Sequence, residues 1–173
     1  MRASVLLRPR VFAAGVLAAT AIATLAAGPA SAATTTGTLN VSMTIEANCT
    51  VVTPATLSFG TQGVLSSSRD ASGALSLTCS NTTPYNVGLN AGSGTGATVA
   101  SRKMTSGGGG TVNYVLYRDA ARTQVWGNTV ATDTFSGTGT GAAETVTVYG
   151  RVPSQATPAP GSYTDAVTVT VTF

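Results

Sequence analysis

The sequence contains no histidine, a single tryptophan and only two cysteines, and charged residues make up 9% of the chain. Without histidine, the chain lacks the side chain that enzymes use most often as a general base. Zinc binding has almost no support, because two thiols and no imidazole fall short of the usual four ligands. We therefore expect no catalytic residues, no metal site and no cofactor.

An exported enzyme is the weakest of three functional hypotheses for this chain. Its motivation would be the acidic residues around Arg118 and Asp133, but the carboxylates are scattered and no two have a spacing that suggests a catalytic pair. The single tryptophan, Trp126, is interpreted as a packing residue rather than as a platform for a sugar, because aromatic side chains usually serve cores.

The first 32 residues have the composition of a secretory signal peptide. Three arginines within the first ten residues precede an apolar stretch over 11–27, and the Ala-Ser-Ala tripeptide at 30–32 matches a small-residue cleavage site. The alternative is a membrane anchor, but the apolar stretch is shorter than the roughly 20 residues that span a bilayer. We expect cleavage after residue 32 and export of the remainder.

Removal of that segment changes the charge of the chain. The full sequence has nine basic and six acidic residues, and three of the basic ones lie in the first ten positions. The mature chain is therefore neutral, which gives no support for nucleic-acid binding. A neutral surface also does not oppose self-association by charge repulsion.

The mature chain has the composition of a single all-β domain. It is rich in threonine and valine, which favour strands, and in glycine and serine, which favour turns. Short runs separated by turn residues indicate a sandwich or barrel. We predict strands over 37–45, 49–52, 56–60, 74–79, 85–90, 97–104, 111–118, 124–126, 132–135, 144–152 and 163–173.

The first of these runs, and the last from position 167 onward, alternate between apolar and polar residues, as half-buried strands do. In the first run the apolar face carries Leu39, Val41, Met43 and Ile45. In the last run it carries Val167, Val169, Val171 and Phe173. Whether these two strands pair within one molecule or between molecules largely decides the function.

The two cysteines, Cys49 and Cys79, both lie in the mature chain. Exported proteins meet oxidising conditions, so a disulfide is the default expectation. Such a bridge would close a loop of about 30 residues and stabilise the fold by roughly 3–4 kcal/mol in the chain-entropy model. A free thiol pair or metal ligands remain the alternatives.

Several segments together match a family pattern. The match begins with Ile45, Cys49 and Val51 in the spacing I-x-x-x-C-x-V, followed by L-x-F-G at 57–60. It continues with Cys79, YVLYRDAAR at 114–122 and VWG at 125–127, and it ends with G-x-Y-x-D-x-V-x-V-T-V-x-F over 161–173. The chain resembles the spore coat protein U domain family, which includes pilin subunits of archaic chaperone–usher pili.

This resemblance implies an incomplete immunoglobulin-like β-sandwich that lacks its last strand and is completed by an N-terminal donor strand from a neighbouring subunit. It divides the chain into a signal peptide (1–32), a donor-strand extension (33–46) and a sandwich domain (47–173). The donor strand would present Leu39, Val41, Met43 and Ile45. The wall of the acceptor groove would carry Val167, Val169, Val171 and Phe173, and the disulfide Cys49–Cys79 would join the first two strands.

The implied function is that of a secreted structural subunit of a surface fibre or coat, assembled through the chaperone–usher pathway by donor-strand exchange and supporting adhesion and biofilm formation. Its partners would be a periplasmic chaperone, an outer-membrane usher and other subunits in a head-to-tail polymer, but no nucleic acid. It would pass through the periplasm to the cell surface. The alternative is a self-contained spore coat or matrix binding module whose own N-terminal strand folds back into the groove.

Overall fold

The structure is a computed structural model that describes residues 28–54 and 56–173. Most of the predicted signal peptide, residues 1–27, lies outside the described residues. The chain divides into two compact units, Met1–Ser42 and Met43–Phe173. In the first unit, the described residues 28–42 are exposed and contain no strand.

The described residues of the second unit contain eight β-strands. They are β1 (Cys49–Pro54), β2 (Arg69–Cys79), β3 (Pro84–Leu89), β4 (Arg102–Thr105), β5 (Thr111–Tyr117), β6 (Phe135–Thr138), β7 (Ala143–Val152) and β8 (Val169–Thr172). Among the described residues, no helix is long and apolar enough to cross a membrane.

Two antiparallel sheets form the sandwich. The larger sheet has the order β1-β2-β7-β5-β4, and the smaller sheet has the order β6-β3-β8. The longest ladder joins β2 to β7 over ten residue pairs, from Arg69 opposite Val152 to Thr78 opposite Ala143. The smaller sheet therefore ends at β8, which pairs with β3 on one side.

Alternation along the strands explains where the core lies. In β5 the side chains of Val112, Tyr114 and Leu116 are buried, while their neighbours along the strand are partly or fully exposed. Strands β2 and β7 show the same period of two, because successive side chains point to opposite faces of a sheet. Leu77, Val87 and Leu89 are nearly inaccessible and lie at the centre of the core.

The prediction of an all-β, incomplete immunoglobulin-like sandwich is confirmed. Most predicted strands are present with shifted bounds, and β8 is shorter than the predicted run over 163–173. The runs over 37–45, 56–60 and 124–126 are not strands in the structure. Alternation supplies a face for packing, but a strand also needs a hydrogen-bonding partner along its edge, and these runs have none or only a single bridge.

Candidate functional site: an apolar groove beside an unpaired strand edge

Strand β8 presents main-chain groups without partners along one edge. Asn90 donates its amide hydrogen to the carbonyl oxygen of Thr168 (3.1 Å), so Thr168 bonds toward the β3 side of the sheet. Hydrogen bonding alternates along antiparallel strands, so the main-chain N–H and C=O groups of Thr170 and Thr172 also point toward β3. The main-chain groups of Val167, Val169 and Val171 therefore point to the opposite edge, where no described residue bonds them.

Beneath this edge the two sheets enclose a groove of about 1040 Å³. Its floor is apolar and belongs to the larger sheet. The floor and wall residues include Leu75, Leu116, Val148, Val152, Val167 and Val169.

The four predicted wall residues differ in how far they are buried in the groove. Val167 and Val169 line it directly, and Val171 is half-buried against the core. Phe173 is 55% exposed at the end of the strand. The intervening threonines of β8 are exposed on the outer face, as the alternation predicts.

The segment 56–60 lies on the other side of the groove. Leu57 and Phe59 are half-buried, whereas Thr56, Ser58 and Gly60 are exposed. A Cβ atom at Gly150 would lie only 2.9 Å from side-chain atoms of both Leu57 and Phe59. The glycine therefore leaves the space that these two side chains need to pack against β7. The segment thus alternates like a strand but has no ladder partner among the described residues.

The carboxylate of Asp165 holds the start of the groove wall in place. It accepts hydrogen bonds from the Ser93 amide and hydroxyl (both 2.7 Å), from the Ala166 amide (2.8 Å) and from the Tyr114 hydroxyl (2.6 Å). Partial burial alone would raise the pKa of Asp165, but the hydrogen bonds from Tyr114 and Ser93 lower it overall. Burial of the ring, and after it the same contact with Asp165, raise the pKa of Tyr114.

A buried arginine stabilises the loops behind the smaller sheet. Arg102 is fully inaccessible, and its guanidinium donates to the carbonyl oxygens of Leu89, Asn90, Val99 and Trp126 at 2.7–2.9 Å. Burial lowers its pKa. Sequence reasoning did not identify this residue, because its four acceptors are separated from it by 3 to 24 positions.

Trp126 is fully buried and donates its indole hydrogen to the carbonyl oxygen of Val87 (2.8 Å). Its ring lies 5.8 Å from that of Phe135. Because no part of the ring reaches the surface, Trp126 packs in the core and offers no sugar platform.

The predicted donor-strand residues are exposed. Leu39, Val41, Met43 and Ile45 have exposed fractions of 80–86%. Residues just after them are anchored at the end of β2: the Ser80 hydroxyl donates to the carbonyl oxygen of Glu46 (3.0 Å), and the Asn48 amide donates to Ser80 Oγ (3.1 Å). Met43 and Ile45 thus expose apolar side chains within the same unit as the groove.

The disulfide Cys49–Cys79 is present, with an S–S distance of 2.03 Å. The two cysteines are directly opposite each other in the β1–β2 ladder. The bridge therefore ties the first strand of the sandwich to the second, immediately after the exposed segment.

The acidic residues of the described chain form no metal-binding cluster. Within residues 28–54 and 56–173, no group of three or more histidine, cysteine, aspartate or glutamate side chains is placed to hold a metal ion. The acids near Arg118 serve local structure: Asp119 accepts from the Thr123 and Gln124 amides, and Asp133 accepts from the Thr129 amide.

A sandwich with one strand edge open above an apolar groove is the architecture of a subunit that lacks its final strand. The structure shares its fold with a chain of the CsuC–CsuE chaperone–tip adhesion subunit pre-assembly complex, from archaic chaperone–usher Csu pili of Acinetobacter baumannii. The TM-score is 0.52 at 23% identity, and the match covers 75% of this chain and 40% of that one.

The sequence comparisons are more specific. The family model of the Spore Coat Protein U domain matches residues 35–170. Protein U of Myxococcus xanthus is 35% identical over 173 residues, which cover 91% of this chain and 96% of that protein. The chain therefore belongs to the Spore Coat Protein U domain family, and the resemblance noted in the sequence is confirmed.

Proposed function

We propose that the chain is a secreted structural subunit of a surface fibre or coat, assembled through the chaperone–usher pathway by donor-strand exchange and supporting adhesion and biofilm formation. In this proposal the signal peptide (1–32) is removed on export. The extension (33–46) of one subunit then fills the groove in the sandwich domain (47–173) of the next.

The observation that carries this proposal is the unpaired edge of β8 above an apolar groove. Unpaired edges favour association with another strand, and native proteins cover them. An added strand would supply main-chain hydrogen bonds along β8 and alternate side chains for the groove. The exposed alternating residues of the extension have the matching pattern.

Burial of the four apolar side chains of the extension provides the driving force. At roughly 1.5–3 kcal/mol for each large apolar side chain, the upper estimate for Leu39, Val41, Met43 and Ile45 is about 6–12 kcal/mol. The cost of ordering the extension reduces this figure. Since the contact runs from one subunit to the next and does not close on itself, its product is a filament.

Before assembly, the groove needs a temporary occupant, and a periplasmic chaperone fits that role. The solved structure with a similar fold is a chaperone–subunit pre-assembly complex, which supports the same arrangement for this chain. An outer-membrane usher and other subunits of the fibre would complete the set of partners.

Gel electrophoresis of the purified mature chain in detergent, with and without boiling, tests the proposal. We expect a ladder of oligomers that collapses to a monomer on heating. Deletion of 33–46 should abolish the ladder, and so should Met43→Asp, because it places an unpaired charge in an apolar groove. Ser42→Asp is the matched control on the opposite face and should leave the ladder intact.

The alternative function, a self-contained coat or matrix module whose own extension folds back, makes the opposite forecast. It gives one monomer band both with and without boiling. A mature chain that stays monomeric, or a truncated chain that assembles as well as the intact one, would contradict donor-strand exchange.

A further inference from the structure

Two opposite charges in the described chain lack partners. Arg69 lines the groove, and its Nε atom is buried without a hydrogen-bond acceptor. The carboxylate of Glu46, the single charged group of the extension, has no hydrogen bond or ion pair with the described residues. An occupant of the groove that brings a carboxylate would give the Arg69 guanidinium an acceptor that no described residue provides.

The acidic residues nearest to Arg69 in the sequence and in the groove are already engaged. Asp70 holds Arg151 through two hydrogen bonds (2.7 and 2.8 Å) and lies 3.4 Å from Arg122. The Asp165 carboxylate accepts the bonds from Ser93, Ala166 and Tyr114 described above. Neither carboxylate is therefore free to accept a hydrogen bond from Arg69.

The groove runs along β2, and its two ends can be identified by the two ends of that strand. Arg69 is opposite Val152, and the β5–β7 register places Tyr114 beside that same residue. Tyr114 bonds Asp165, so the beginning of the groove wall lies at the Arg69 end. Strand β8 follows toward β1, near the Cys79 end.

An added strand antiparallel to β8 would therefore end near Arg69. Antiparallel pairing is slightly more stable per residue than parallel pairing. In that direction Leu39 lies toward the Cys79 end, and Ile45 and Glu46 lie toward Arg69. The inward positions of β2 from Arg69 to Leu75 span about 20 Å, and Leu39 to Ile45 spans the same length.

Glu46 follows the last apolar position of the extension, so its carboxylate would lie at the rim of the groove. The side chain of an arginine is long enough to carry its guanidinium from an apolar floor to such a rim. The two groups can therefore meet where the groove opens to solvent.

Glu46 of the same molecule cannot make this contact. Its main chain is bonded to Ser80, next to Cys79. Arg69 lies at the opposite end of β2, about 33 Å away along the strand. A pair between Arg69 and Glu46 is therefore possible between two molecules but not within one.

We propose that Arg69 is the docking site for the Glu46 carboxylate of a second copy of this chain, and that this ion pair sets the direction in which the extension enters the groove. The inference rests on the proposed strand exchange. The ion pair would fix the direction of the inserted strand, which apolar side chains alone do not specify.

Charge reversal tests the pair through the half-time of fibre dissociation in detergent at a fixed temperature. Glu46→Lys and Arg69→Glu should each shorten the half-time by roughly fivefold, the upper range for an exposed ion pair. Both changes in one chain should restore it, because every contact then carries the reversed pair. Thr44→Lys, which adds the same charge two residues earlier, should not be rescued by Arg69→Glu. Failure of the double reversal to restore the half-time would overturn the pair.

Cross-linking tests the direction independently of these stabilities. The native cysteines are joined in a disulfide, so introduced cysteines are the free thiols available to a short bismaleimide. Mixed fibres of Ala47→Cys and Ser68→Cys chains, which keep both Glu46 and Arg69, should give a covalent dimer, whereas Leu39→Cys with Ser68→Cys should not.

Each other result of the cross-linking experiment has a distinct meaning. A dimer through Leu39→Cys would overturn the proposed direction while strand exchange stands. Detergent-resistant fibres without either cross-link would overturn the docking of Glu46 at Arg69. If the unsubstituted chain forms no fibres, strand exchange itself is contradicted, and this proposal fails with it.

Discussion

Truncation of one apolar side chain in the extension should weaken the fibre without weakening the subunit. The reason is the difference in surroundings between the two states. In the free chain Leu39 and Ile45 are 85% and 80% exposed, so they contribute little to folding. In the fibre they would be buried in the groove of the next subunit.

The magnitude follows from the carbons removed. Leu39→Ala and Ile45→Ala each delete three carbons, which at about 0.8 kcal/mol per buried CH₂ costs about 2.4 kcal/mol. Since 1.36 kcal/mol corresponds to a factor of ten, the fibre should dissociate about 60-fold faster. Val41→Ala deletes two carbons, so about 1.6 kcal/mol and about 15-fold are expected.

The assay measures two quantities for each variant: the dissociation half-time of the fibre in detergent and the free energy of unfolding of the unassembled chain. Ser42→Ala is the matched control, because it lies in the same segment on the opposite face. It should leave the half-time within about twofold, as surface substitutions usually do.

Two results would refute this reasoning. Equal effects of Leu39→Ala and Ser42→Ala on the fibre would show that the face of the extension does not matter. A loss of about 2 kcal/mol in the unfolding of the unassembled chain on Leu39→Ala would show that the side chain is already buried within one molecule.

The remaining predictions concern the sandwich itself. Arg102→Met should lower the free energy of unfolding by about 2–6 kcal/mol in denaturant titration, because it leaves two buried carbonyl groups without donors at about 1–3 kcal/mol each; a loss below 1 kcal/mol would contradict a structural role. The pKa of Asp165 is lowered in the folded chain, so its contribution should be present above about pH 4 and be lost as the pH falls below that value. The pKa of Tyr114 is raised, so its contribution should be lost above about pH 10. Asp165→Asn should flatten the acid limb of the stability profile, and an unchanged limb would rule out this carboxylate as its source.

The sequence was sufficient for the fold class, because the pattern that specifies a strand is local. Val112, Tyr114 and Leu116 alternate along β5, and the same period marks β2 and β7. The family motifs were also legible, because they depend on residue identities and on spacing along the chain. The face of the terminal segment that carries Val167 and Val169 followed from the same alternation.

Only the tertiary structure decided which alternating runs have partners. The segments 37–45 and 56–60 alternate as clearly as β5, yet neither belongs to a ladder in the described chain. Pairing depends on what lies alongside a strand, and that neighbour is distant in sequence. The same holds for charges: Arg69 and Asp165 are ordinary residues in the sequence, and only the packing of the two sheets leaves one without an acceptor and gives the other four donors.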